Sequence, residues 1–187
     1  MTVGLLVLAA GRSRRFSGDK RFALLNDGRA LLHTTLNSAV ASGLPVRVCL
    51  RDEEDEFSDQ LLELGIDRII LCPRSDKGIG YSLANGVSHC YDWDGLLVVL
   101  GDMPFVESST YSRLAAALSK NNICVPVYGD ASGNPVAFGS NFFSSLEKLD
   151  DDFGAKDIVQ SNRQAVIKIS TPDKGILMDI DVPGDIV

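Results

Sequence analysis

The chain has 187 residues, 45% hydrophobic and 23% charged, with 18 Lys and Arg against 25 Asp and Glu and a formal net charge of −7. That length suits one domain with a substantial core, expected here to span residues 1–187. The acidic balance argues against nucleic acid and against an anionic membrane as partners, so an anionic substrate has to be captured by a local reversal of charge or through a metal ion.

The first element is Val3–Ala10, an apolar run that ends in glycine and is too short for a typical helix. It reads as a strand buried on both faces. In Leu31–Gly43, apolar Leu32, Leu36, Ala39 and Val40 fall at helical spacing, with Gly43 as a terminator. Val46–Leu50 is a strand, Phe57, Leu61 and Leu64 mark a short helix closed by Gly65, and Ile69–Cys72 is a strand stopped by Pro73. Ser82–Cys90 reads as helix and Gly95–Leu100 as the strongest strand. Ser108 or Ser109 is positioned to cap a helix running to Leu118. Ile123–Tyr128 and Pro135–Phe138 are strand-like, Asn141–Leu149 and Gly154–Gln160 helix-like, and Val166–Ser170 is the last strand. Strands alternating with crossover helices predict an α/β fold, a three-layer α/β/α sandwich around a mostly parallel sheet. Such sheets bind ligands beyond the carboxyl ends of their strands, which here means the loops after Ala10 and after Leu100.

Cys49, Cys72, Cys90 and Cys124 are widely and unevenly spaced, with no CxxC pair and no partnering histidines, so zinc has no support. Three of them sit in or beside apolar runs, as free thiols of a reducing compartment do. The apolar stretches are too short to span a bilayer, and the N-terminal one precedes its arginines rather than following them. A cytoplasmic location is expected.

Three segments carry chemistry. In Leu8-Ala9-Ala10-Gly11-Arg12-Ser13-Arg14-Arg15-Phe16-Ser17-Gly18-Asp19-Lys20-Arg21, five positive charges and one negative lie between Arg12 and Arg21. The small residues let a ligand approach the backbone, and the cations can neutralise phosphates. The segment fits neither GxGxxG nor GxxxxGK[ST]. Next, Gly101-Asp102-Met103-Pro104 puts a carboxylate where a strand leaves the sheet, a place suited to Mg²⁺. Last, in Asp179-Ile180-Asp181-Val182-Pro183 the alternation sends both aspartates to one face. Read singly, each has an ordinary explanation: a solvated basic loop, a turn-stabilising Asp, a polar edge.

In this order along one chain, the three segments resemble the MobA-like nucleotidyltransferase family, with its Rossmann-like fold of the glycosyltransferase-A type. The similarity is strongest to its molybdenum-cofactor cytidylyltransferase branch, whose opening resembles LAAGxSxRFGxxK. It extends through Gly78-Ile79-Gly80-Tyr81-Ser82-Leu83, Gly133–Phe138 and Phe153-Gly154-Ala155. The resemblance implies a Mg²⁺-dependent transfer of CMP, or alternatively GMP, from CTP or GTP to a phosphate acceptor, with molybdopterin the favoured acceptor and pyrophosphate released. It implies that Leu8, Ala9, Ala10 and Gly11 frame base and ribose with Arg12 and Ser13 beside them. Arg15 and Lys20 would hold the triphosphate, Gly78 and Ser82 would border the nucleotide, and Asp102 would bind Mg²⁺ with Asp179 or Asp181 as a second carboxylate. A molybdoenzyme or its chaperone is a compatible partner.

The sequence departs from the pattern at Ser17, where glycine is usual, at Asn134, where histidine is common, and at Cys72, where asparagine is frequent. Ala10 resembles the cytidylyl branch, whereas Asp102-Met103-Pro104-Phe105 is closer to the guanylyl branch. Two other readings share these residues: a sugar-phosphate or other phosphate nucleotidyltransferase, and a nucleotide-binding cofactor chaperone that performs no chemistry.

Overall fold

The first strand, β1 (Val3–Leu8), is buried at every position, because its side chains face a helical layer on each side of the sheet. Leu5 and Val7 face one core, and Leu6 and Leu8 the other. Each fully buried Leu or Val contributes about 1.5–3 kcal/mol, so this strand is a principal source of stability. The computed structural model describes residues 1–12, 16, 18–51, 55–150 and 154–186.

After β1 come α1 (Leu31–Ala41), β2 (Val46–Leu50), α2 (Asp55–Glu63), β3 (Arg68–Leu71), α3 (Ile79–Val87), β4 (Gly95–Leu100) and α4 (Ser108–Ala117). The chain continues through β5 (Ile123–Tyr128), β6 (Ala131–Ser132), β7 (Val136–Gly139), α5 (Phe143–Leu146), α6 (Lys156–Ser161) and β8 (Val166–Ser170). The sheet runs β3-β2-β1-β4-β7-β5-β6, with β8 paired along β5. β1 is parallel to β2 and β4, β2 to β3, and β5 to β8. β7 is antiparallel to β4 and β5, and β6 to β5. The expected sandwich is therefore present, and reversed β6 and β7 make its sheet mixed. Leu32 and Leu36 of α1, Leu61 of α2 and Leu114 of α4 fill one core; Leu83 and Val87 of α3, Phe143 of α5 and Ile158 of α6 fill the other. Among the described residues no helix is long and apolar enough to cross a membrane.

Several boundaries differ from the expectations. α3 begins at Ile79 and ends at Val87, leaving Cys90 in the following turn. The helix expected over 141–149 shrinks to four residues preceded by a 3-10 turn, Ser140–Phe142. Ser108 and Ser109 do not cap α4. Glu107 occupies the cap position without a side-chain bond, and buried Asp173, from far along the chain, accepts from Glu107 N at 2.9 Å and Thr110 Oγ1 at 2.6 Å. Both serines lie inside the helix, and Asp173 instead ties down the N–H of the cap residue and a hydroxyl of the first turn. Gly43 and Gly65 do end α1 and α2, with positive φ of 74° and 92°.

At the sheet's other end, Trp93 lies on Gly4, with the Arg47 guanidinium 4.2 Å from its ring centroid. A Cβ at Gly4 would stand 2.4 Å from the indole. Gly4→Ala is therefore expected to cost about 2 kcal/mol through overpacking and to lower Tm by about 6 °C in a chain of this size. Thermal melting checks this, with turnover unchanged.

Candidate active site

β1 is the strand at which chain order reverses: β2 and β3 extend from one side of it, β4 from the other. Crossovers leaving in opposite directions open a crevice at the carboxyl ends of β1 and β4. The loops after Ala10 and Leu100 therefore border one cleft, of about 450 Å³. Its floor is tight. Gly101 N donates to Leu8 O at 3.0 Å, and a Cβ at Gly101 would meet Leu8 O at 3.0 Å and the Ala9 Cβ at 3.2 Å. Thr35, buried on α1, donates to Gly101 O at 3.1 Å and fixes the turn that carries Asp102.

Leu8, Ala9, Ala10, Gly11 and Arg12 line one wall. Gly78, Ile79 and Ser82 line another, with Ser75 and Asp76 from the preceding turn. Gly78, at a φ of 135°, opens α3 with no side chain of its own to cap it, a helix start of the kind that suits an anion or a polar ligand. Ser82 is buried, and the Cys49 and Cys72 thiols point at its carbonyl from 3.6 and 3.9 Å. The neighbouring Cys72 and burial push the Cys49 thiol well above its ordinary pKa, which marks it as a structural thiol.

The third wall is acidic: Asp102, Asp179 and Asp181 all face the cleft. Ile180 between the two later aspartates is buried, and its N–H donates to Asp102 O at 3.0 Å. The alternation in the sequence is thus realised, with Ile180 turned inward. The Lys20 ammonium donates to Asp102 Oδ2 at 2.6 Å and to Ile180 O at 2.9 Å, and lies 3.7 Å from Asp181 Oδ1. Asp102 Oδ1 is buried and has no hydrogen-bond partner among the described residues.

The basic loop is held by its one acid. Asp19 accepts from Arg21 Nε at 2.8 Å and Arg21 N at 3.1 Å, and pairs also with Arg51. Burial raises the Asp19 pKa, but the Arg21 hydrogen bond and the charges of Arg21 and Arg51 outweigh it and hold the carboxyl below its usual range. Arg21 is buried and borders the cleft. Charge spacing marks Arg21 only as one of five loop cations; its burial accompanies an ion pair with Asp19, an acid it shares with Arg51, which that spacing does not reveal. Ser13, Arg15, Ser17 and Phe153 lie outside the described residues. Every other site residue expected from the sequence borders the one cleft.

A model of the MobA-like NTP transferase domain matches residues 5–166. The chain belongs to this family. Among curated relatives, the probable molybdenum cofactor guanylyltransferase of Thermococcus sibiricus is 25% identical over 150 residues, which cover 76% of this chain and 72% of the relative. The 2-C-methyl-D-erythritol 4-phosphate cytidylyltransferase of Rubrobacter xylanophilus is 31% identical over 97 residues, 52% of this chain and 42% of the relative. The bifunctional protein GlmU of Buchnera aphidicola is 24% identical over 165 residues, 83% of this chain but 35% of that protein. The chain thus spans less than half the length of the last two. Among solved structures, Rv0371c from Mycobacterium tuberculosis superimposes with a TM-score of 0.80 at 25% identity, over 99% of this chain and 95% of the other. A manganese complex of the same protein gives 0.76 at 24% identity, over 99% and 96%. Family membership gives the three sequence segments a common context.

Proposed function

We propose that this family member transfers a nucleotidyl group from a nucleoside triphosphate to a phosphate acceptor, releasing pyrophosphate. The observation that carries this reading is the buried Oδ1 of Asp102, without a hydrogen-bond partner among the described residues, in a cleft that Asp179 and Asp181 also line and whose other walls are small-residue backbone and the start of α3.

That geometry also fits Mg²⁺. Among the described residues no three His, Cys, Asp or Glu side chains gather closely enough to hold a metal. Mg²⁺ seldom needs such a cage, because it is usually bound by one or two carboxylates, substrate phosphates and water. Asp102, with Asp181 or Asp179, supplies those carboxylates. The manganese complex named for Rv0371c is consistent with a divalent cation on this fold. When bound, the metal supplies charge neutralisation of the nucleotide phosphates.

The chain's own residues do the rest. The Leu8–Gly11 backbone and Ser82 position the nucleoside, and the first N–H groups of α3 face its polar edge or phosphates. Arg12, Arg15 and Lys20 offset the charge of the triphosphate. The acceptor's phosphate oxygen attacks the α-phosphorus, a bond forms there, and the bond to the departing pyrophosphate breaks. The attacking oxygen is already anionic, so positioning and neutralisation matter more than a base.

For the donor we favour CTP, on the Leu8-Ala9-Ala10-Gly11 opening, with GTP as the alternative; for the acceptor we favour molybdopterin. The match to an erythritol-phosphate cytidylyltransferase supports a polyol phosphate as a second acceptor class. The test is pyrophosphate release from CTP, GTP, ATP and UTP with Mg²⁺, with molybdopterin, with a polyol phosphate, and with neither. Release that needs molybdopterin and is at least tenfold faster with CTP than with GTP is expected. Release with the polyol phosphate alone replaces the acceptor, and nucleotide binding with no release from any pair overturns the transferase reading.

A further inference from the structure

Lys20 does not project into open cleft; it stands in the gap between the carboxylates. Its ammonium is 2.6 Å from Asp102 Oδ2, 2.9 Å from Ile180 O and 3.7 Å from Asp181 Oδ1. The lysine and aspartate side chains of the Asp102 pair are about one-sixth and one-fifth exposed, at 16% and 22%, so water screens the pair only partly. The other Asp102 oxygen, Oδ1, remains buried and unpartnered among the described residues.

We infer that Lys20 is a place-holder for the divalent cation, occupying the Asp102–Asp181 gap until metal and nucleotide arrive together. This rests on the reading that the metal is held at Asp102 and Asp181. A divalent cation drawn to Asp102 and Asp181 meets a like charge already on both, and the two cannot share the gap without strong repulsion. Metal entry therefore requires the ammonium to withdraw. Withdrawal alone leaves an ammonium without its carboxylates in a partly buried site, which opposes metal binding to the empty protein. A triphosphate entering the same cleft offers the displaced ammonium a new anion. Lys20 thus couples the two ligands: metal binds weakly alone and tightly with nucleotide, and by reciprocity nucleotide binds tightly only with metal. The site is kept neutralised at rest, and stray divalent cations are not retained.

The experiment measures Mn²⁺ binding, from the signal of free Mn²⁺ in electron paramagnetic resonance. It uses the full chain with and without a non-hydrolysable CTP analogue, in wild type, Lys20→Met, and Lys20→Met combined with Asp102→Asn. Circular dichroism melting confirms that each variant is folded, and Lys20→Arg provides a second cation variant should Lys20→Met not fold. Lys20→Met is expected to bind Mn²⁺ without nucleotide about tenfold more tightly than wild type. The strengthening of Mn²⁺ binding by the analogue, large in wild type, is expected to shrink at least fivefold. Lys20→Arg, which keeps the charge, is expected to bind Mn²⁺ alone as weakly as wild type. Equal Mn²⁺ affinity in wild type and Lys20→Met, with the site still lost on Asp102→Asn, overturns the place-holder role and leaves the metal site standing. For Lys20→Arg, Mn²⁺ binding tightened as far as expected for methionine overturns it too. Binding that survives Asp102→Asn in the methionine background overturns the metal site itself.

Discussion

Asp102→Asn is expected to lower kcat about a thousandfold while leaving the fold intact, a loss of about 4 kcal/mol of transition-state stabilisation of the kind a metal-bearing carboxylate supplies. The expectation follows from the buried Oδ1 without a hydrogen-bond partner among the described residues. An orphaned buried oxygen is costly, and it is tolerated where a ligand supplies the missing partner. An amide keeps the shape but removes the charge, and its N–H₂ group repels a cation. The accompanying loss of the Lys20 ion pair is small for stability, about 1 kcal/mol or less for a pair still in touch with water, because Lys20 retains Ile180 O and Asp181. Steady-state kinetics with thermal melting separates the two effects. A kcat within tenfold of wild type would remove Asp102 from the chemistry.

Asp173→Ala is expected to have the largest effect on stability, about 3–4 kcal/mol, or a fall in Tm of about 10 °C. Asp173 is 3% exposed, and its two oxygens serve Glu107 N at 2.9 Å, Thr110 Oγ1 at 2.6 Å and Gly175 N at 2.8 Å. Alanine strands the Glu107 and Gly175 N–H groups and leaves the Thr110 hydroxyl only Thr171 Oγ1, at 3.4 Å. The neighbouring Gly175 packs so closely that a Cβ there would stand 2.0 Å from Phe105 O, so the segment has no slack with which to re-pair them. That segment leads directly to Asp179 and Asp181, and loosening it is expected to weaken Mn²⁺ binding along with stability. Denaturant unfolding gives the stability change; a loss under 1 kcal/mol would mean water replaces the carboxylate.

The strands at Val46–Leu50, Gly95–Leu100, Ile123–Tyr128 and Val166–Ser170 were legible to the residue, because apolar runs between turn signals are local patterns. Of the three chemical segments, Leu8–Arg12 with Lys20 and Arg21, Gly101 with Asp102, and Asp179 with Asp181 border the cleft. What sequence did not show was long-range. That the loops after Ala10 and Leu100 share one cleft follows from β1 pairing with β4 rather than only with β2, which no local pattern states. Asp173 gave no motif, since the two partners it holds in α4, Glu107 and Thr110, lie more than sixty positions away. The expected serine caps are absent because the helix begins at Ser108 itself, with Glu107 at the cap position, so both serines lie inside its first turn. β6, two residues long, is below any periodicity, and it exists because Ser132 and Ala131 fall opposite Val127 and Tyr128.

The β1–β4 junction has a further consequence, for how the molecule forms. Thr2 and Asp94, at its base, are joined across 92 positions, so this pairing closes a far longer loop than the pairing of β1 with β2, which begins at Leu5 and Val46. Closing long loops costs entropy before contacts repay it, and topologies dominated by distant pairings fold slowly. The seam that forms with most difficulty is thus the seam that brings Asp102 beside Ala9 and Ala10. A partly folded chain has half a cleft and nothing with which to retain nucleotide, so a ligand of the completed cleft draws the population only toward the finished fold.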